Sequence, residues 1–252
     1  MENKNGTNIN ETEKENEVKP EEINDDKENK NIVNSKANNF EAKILNVPEN
    51  FESKNALVFK TIIIGNSGVG KTSITNNAVK HIFFENYRST IGMEIFSLFL
   101  KINHRLIKLQ IWDTCGQEIY RSLITNFYRN SSLAVIVYSI EKRESFKDID
   151  MWVKELRIHS SPGIKIILIG NKSDLDDKRE VSYEEGAKYL DKPEIISFYE
   201  TSAKTGENVQ KIFEEIGIVL YQDYLKYKDE EALKSCSTFK TENLNTKKKN
   251  CC

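Results

Sequence analysis

The apolar run "LVFKTIII" (Leu57 to Ile64) leads directly into "GNSGVGKTS" (Gly65 to Ser73). No other feature restricts the fold of this chain so tightly. An apolar run of strand length, bounded by glycine, reads as a fully buried strand. The segment after it matches G-x-x-x-x-G-K-S/T, with Gly65, Gly70, Lys71 and Thr72 at the fixed positions. Glycines let a backbone wrap closely around an anion. The loop N–H groups and the start of the next helix then point at phosphates. Asn66, Ser67, Gly68, Val69, Gly70, Lys71, Thr72 and Ser73 are therefore the candidate phosphate-binding residues. Lys71 supplies a point charge for the terminal phosphates, and Thr72 a hydroxyl ligand for Mg2+. The plain alternative is a glycine-rich turn that binds nothing. A strand before the loop and a helix start after it weigh against that.

The rest of the chain repeats the strand-then-helix order. "MEIFSLFLKI" and "RLIKLQIWD" read as a hairpin turning near Asn103 and His104. "LAVIVYSI", "IKIILIG" and "ISFYETS" supply further strands. Lys71 to His81 suits a helix. Ser182 with Glu185 forms a capping box for a helix through Leu190. Val209, Ile212, Phe213, Ile216 and Leu220 make an apolar stripe at helical spacing, which reads as core packing. Such alternation implies an α/β fold, with a mostly parallel sheet covered by helices on both faces. Ligands in such sheets bind beyond the carboxyl ends of the strands.

Residues just after strands carry the remaining chemistry. Asp113 ends a strand in "IWDTCGQE", where a carboxylate can hold Mg2+ through water. A lone Asp there is more often a turn residue, and the phosphate loop changes that prior. "IIGNKSD" offers Asn171, Lys172 and Asp174 after one strand, and "ETSAK" offers Ser202, Ala203 and Lys204 after another. Guanine presents N1–H and an exocyclic amine side by side, and one carboxylate, Asp174, can accept from both. Adenine has no such pair of donors, and specificity built on hydrogen bonds rejects analogues that lack them by large factors.

These motifs, in this order, resemble the Ras superfamily of small GTPases over roughly Leu57 to Tyr224. Within it, "YRSTIGMEIF" and "WDTCGQEIYRSL" are similar to the two switch segments of Rab proteins, and Ser67 in the loop is usual for Rabs. The resemblance implies a P-loop NTPase three-layer fold: a six-stranded, mostly parallel sheet with one antiparallel strand and about five helices. It also implies GTP or GDP as ligand, Mg2+ as cofactor, and slow GTP hydrolysis. Thr72, Thr90 and Asp113 would hold the metal. Phe83 would pack on the base, and Thr90 and Gly116 would meet the γ-phosphate. Gln117 would orient the attacking water, with Lys71, Thr90, Gly116 and Gln117 forming the catalytic set. Cys115 stands where the family usually has alanine, and a thiol beside Gly116 is expected to hinder closure on the γ-phosphate. Ile119 replaces a commonly basic residue of the second switch. Implied partners are an exchange factor, a GTPase-activating protein, a prenylation escort, a GDP-dissociation inhibitor, and effectors that read the switches.

Composition sets the boundaries. Residues 1–55 are rich in Asn, Glu and Lys, with no aromatic before Phe40, and are expected to be disordered. The resemblance implies a GTPase domain over residues 56–226. Residues 227–252 are expected to be a flexible tail ending "TKKKNCC". Thirty-seven basic against 39 acidic residues give −2, so no strong basic field invites nucleic acid. The N-terminus has no apolar core, and no run is long enough to span a bilayer, so neither a signal peptide nor a membrane helix is expected. Four cysteines in 252 residues make no disulfide framework, and a reduced, cytosolic monomer is expected. In a Rab-like chain, Cys251 and Cys252 imply geranylgeranylation and residence on the cytoplasmic face of a Golgi or endosomal/secretory membrane. Three rivals stand beside this reading: a nucleotide-binding membrane scaffold with impaired hydrolysis because of Cys115, a P-loop kinase or ATPase, and a soluble interaction protein that uses its Asn-rich arm.

Overall fold

The computed structural model describes residues 40–48, 51, 53–85, 90, 92–116 and 127–246, with side chains as far as Glu231. All belong to one compact unit, Val33–Cys252. Seven strands form one sheet: β1 Ala42–Leu45, β2 Leu57–Ile64, β3 Met93–Ile102, β4 Arg105–Thr114, β5 Leu133–Ser139, β6 Lys165–Asn171 and β7 Ile195–Thr201. Their order across the sheet is β1-β3-β4-β2-β5-β6-β7. The pairs β4/β2, β2/β5, β5/β6 and β6/β7 are parallel, and β3 runs antiparallel to both β4 and β1. The expected single antiparallel strand is β3.

Five α-helices are present among the described residues: α1 Lys71–Lys80, α2 Arg143–Lys147, α3 Ile149–His159, α4 Tyr183–Ala187 and α5 Val209–Thr246. Strand periodicity assigns the two faces of the sheet. On β2, Ile63 joins one core with Ile74 and Ala78 of α1 and Phe213 and Ile216 of α5. Ile62 and Ile64 point the other way, into a second core with Trp152, Val153 and Leu156 of α3. The stripe from Val209 to Leu220 is buried throughout, as its spacing predicts. β5 is buried along its whole length, which a strand covered on both faces requires.

Two features differ from expectation. The sheet has seven strands rather than six, because Ala42–Leu45 lies within the segment expected to be disordered. It pairs with β3 from Ala42↔Ile102 to Leu45↔Phe99. Phe40 meets Tyr221 edge-on at 5.7 Å, and Phe51 meets Phe99 at 4.9 Å. Ala42 and Ile44 pack on the first core. These few apolar residues are diluted by polar neighbours in sequence, and they become a strand only because β3 offers an open edge. The last helix also runs on to Thr246, past the expected boundary at residue 226. The segment after Tyr227 is polar but has neither proline nor glycine, and its lysines, glutamates and leucines favour helix.

Candidate functional site

The carboxyl ends of β2, β4, β5, β6 and β7 open into one cleft of about 1130 Å³. Its walls include Ser67, Gly68, Gly70, Lys71, Thr72, Ser73, Phe83, Thr90, Gly116, Asn171, Lys172, Asp174, Ala203 and Lys204. Most of the residues singled out in sequence therefore converge on one space. Gln117, Cys251 and Cys252 lie outside the described residues.

The loop from Gly65 to Gly70 is set by its own backbone and by what presses on it. Gly70 has φ +97, and a Cβ there would come within 2.2 Å of the Asn171 amide nitrogen. No other residue fits. Asn171 in turn donates to the Val69 carbonyl at 2.8 Å, and its Oδ1 accepts from Thr201 Oγ1 at 3.1 Å and Ala203 N at 3.2 Å. A single buried carboxamide thus ties the phosphate loop to the ends of β6 and β7.

Lys71 is 5% exposed, and its ammonium donates to the carbonyls of Gly65 and Asn66, both at 2.8 Å. Burial lowers its pKa to about 8, against the opposing pull of the Asp113 carboxylate. Asp113 is fully buried at the end of β4, and burial pushes it up to about 6 despite a hydrogen bond from Thr72 and the charge of Lys71. Thr72 Oγ1 donates to Asp113 Oδ2 at 2.5 Å and lies 2.7 Å from Thr90 Oγ1. Asp113 Oδ1 is buried without a partner. Two hydroxyls and a carboxylate with an unused lone pair are hard oxygen donors, and they fit Mg2+. No cluster of three or more His, Cys, Asp or Glu assembles among the described residues.

At the other end of the cleft, Ser202 Oγ donates to Asp174 Oδ1 at 2.5 Å and accepts from the backbone of Lys204 and Thr205. This holds the Asp174 carboxylate in the cleft wall. Phe83 stands at the mouth, about one-third exposed, beside the more exposed Phe84. Lys172 adopts φ +69 and is held by an ion pair with Glu141.

Three side chains singled out in the sequence lie apart from the cleft walls. Two are those of Asn66 and Val69, in a loop whose expected phosphate contacts are made by backbone N–H groups. Val69 is buried, and the Asn66 side chain turns behind the loop, where it donates to Asp148 Oδ2 at 2.5 Å and accepts from the Trp152 indole at 2.9 Å. Cys115 is 2% exposed and packs in the second core, while Thr114 and Gly116 on either side of it face the cleft. Its thiol therefore does not stand between Gly116 and a phosphate. Asn76, Glu85, Lys142 and Leu175 also line the cleft, and no motif marks them in the sequence. Lys142 follows the end of β5, and the rule that site residues follow strands would have found it.

A sequence model of the Ras family matches residues 60–222. The Ras-related protein RABA1b of Arabidopsis thaliana is 40% identical over 165 residues, 66% of this chain and 76% of that protein. Rab2BV of Beta vulgaris and Rab11C of Lotus japonicus are 42% and 41% identical, each over 65% of this chain and 76% of the relative. The chain belongs to the Rab family of small GTPases. The matched residues of this Rab begin inside β2 and end inside α5. The β1 strand lies outside them, and so does the chain beyond residue 222.

Proposed function

We propose that this Rab is a GTP-dependent switch in intracellular membrane traffic, with slow hydrolysis of its own. One observation carries the reading. The glycine-rich loop, the oxygen cluster of Thr72, Thr90 and Asp113, and the Asp174 carboxylate held by Ser202 meet at a single cleft. Asp174 would read the base, Lys71 would neutralise the terminal phosphates, and Thr72, Thr90 and Asp113 would hold Mg2+ with them. Bound there, the metal would supply charge stabilisation to the transferring phosphoryl group. Gly116 would donate its N–H to the γ-phosphate, and Gln117 would orient water.

An arginine supplied in trans by an activating protein would be worth roughly 10³–10⁵ in rate. Thr90 and Gly116, ordered by the γ-phosphate, would give effectors a state to read. An exchange factor would reset the cycle. Cys251 and Cys252, doubly prenylated, would anchor the protein to the cytoplasmic face of a Golgi or endosomal/secretory membrane. An escort and a dissociation inhibitor would carry it through the cytosol as a monomer. Two lipids are needed because one binds only marginally.

The decisive experiment is to purify the protein in Mg2+, denature it and identify the released nucleotide by chromatography. About one guanine nucleotide per chain is expected. An adenine nucleotide, or an empty protein, overturns the reading.

A further inference from the structure

Asn66 is the point at which three parts of the molecule meet one peptide of the phosphate loop. Its carbonyl accepts from the buried Lys71 ammonium at 2.8 Å. Its backbone is pressed by the loop after β4, since a Cβ on Gly116 would lie 2.4 Å from the Asn66 carbonyl carbon. Its carboxamide is held from behind by Asp148 and Trp152. The holder is itself rigid. Asp148 sits at the junction of α2 and α3, where its N–H donates to the Glu144 carbonyl and its carbonyl accepts from Trp152 N–H. Trp152 is 5% exposed and packs with Ile62, Ile64 and Cys115.

We propose that Asn66, Asp148 and Trp152 form a clamp that positions the phosphate loop from outside the cleft and thereby sets how long nucleotide stays bound. The proposal rests on the nucleotide-binding reading above. The Asn66 carboxamide uses both of its ends, its N–H on a carboxylate and its oxygen on an indole N–H. Rotation of that side chain breaks both bonds at once. Because Lys71 and Gly116 bear on the backbone of the same residue, slack in the clamp reaches the charge that neutralises the phosphates and the N–H expected to meet the γ-phosphate. Asn66 is a positioning residue here, and it touches no ligand through its side chain.

The polarity of the clamp supplies its test. Asn66→Asp sets two carboxylates against each other at the 2.5 Å contact and should speed release of a fluorescent GDP analogue by about tenfold or more. Combining Asn66→Asp with Asp148→Asn restores one donor and one acceptor in reversed order, while an oxygen still faces the Trp152 indole. Release from the double variant should return to within about threefold of the parent. A purely structural weakening of α3 would not be rescued by this exchange. Asn66→Ala, read by the emission of Trp152 in a Trp112→Phe background, should shift the indole spectrum as its acceptor is lost.

If the parent retains guanine nucleotide and the single variants release it at the parental rate, the clamp is refuted. A double variant that releases as fast as Asn66→Asp also refutes it. If the parent retains none, the nucleotide reading fails, and the Trp152 spectrum still decides whether Asn66 holds the indole. Should Asn66→Asp not fold, Asp148→Ala takes its place, with the same acceleration expected and an unchanged release rate refuting the clamp.

Discussion

At the scale of single residues, the site is a set of costs that a ligand relieves. Asp113 and Lys71 are both buried, and burial pushes their pKa values toward each other, to about 6 and about 8. The folded state therefore holds the Asp113 proton more tightly than the unfolded chain does between pH 3.8 and about 6. In nucleotide-free protein, the charged carboxylate opposes folding above that window, and the opposition fades as pH falls through it. Asp113→Asn should accordingly melt higher than the parent at pH 7.5 without nucleotide, with the gain shrinking to nothing near pH 4. In Mg2+ and nucleotide the order should reverse, because the variant would lack a proposed Mg2+ ligand. Calorimetry across pH checks both.

Cys115 makes a second prediction. Its side chain is buried in the second core, the cluster that includes Ile62, Ile64 and Tyr128, and is not part of the cleft wall. Cys115→Ala should leave single-turnover hydrolysis within about twofold and lower stability by about 1 kcal/mol. A large gain in rate would restore the idea that the thiol hinders closure. The sequence shows which residue is unusual at this position but not which way it points, because direction depends on the strand register of Asp113 and its neighbours.

Elements differ in how far their own residues specify them. The capping box at Ser182 and Glu185 is legible in four residues because both of its hydrogen bonds are local. Its reinforcement was not legible. The Arg143 guanidinium, 42 residues away, holds the Glu185 carboxyl down at about 2, with help from the Ser182 N–H. That support is complete above pH 4.5 and is lost as pH falls toward 2. Glu185→Gln should melt below the parent at pH 6 and match it near pH 2. The β1 strand lies at the opposite extreme. Four residues, "AKIL", carry almost no periodic signal, and their partner lies near residue 100. Only tertiary context makes them a strand. Ile44→Asp should lower the melting temperature by about 5 °C and release amide protection at Phe99–Ile102, as seen by hydrogen exchange. Unchanged exchange would show that the edge does not need its cap.

For the whole molecule, the cleft was legible because topology collects the ends of parallel strands on one side, so motifs far apart in sequence arrive together. What lies behind the cleft was not legible, since Asp148 and Trp152 carry no motif and act through one carboxamide. Ligand linkage gives the prediction at this scale. A nucleotide that binds only the folded state at 1,000 times its Kd should stabilise it by about 4 kcal/mol. Chelating Mg2+ should remove part of that increment and speed nucleotide release. A melting temperature indifferent to both would contradict a single shared site for metal and nucleotide.

The contact between Phe40 and Tyr221 also couples the first described strand to the last helix. Fraying of one strips a packing partner from the other, so local opening at the two ends is a shared event rather than two separate ones.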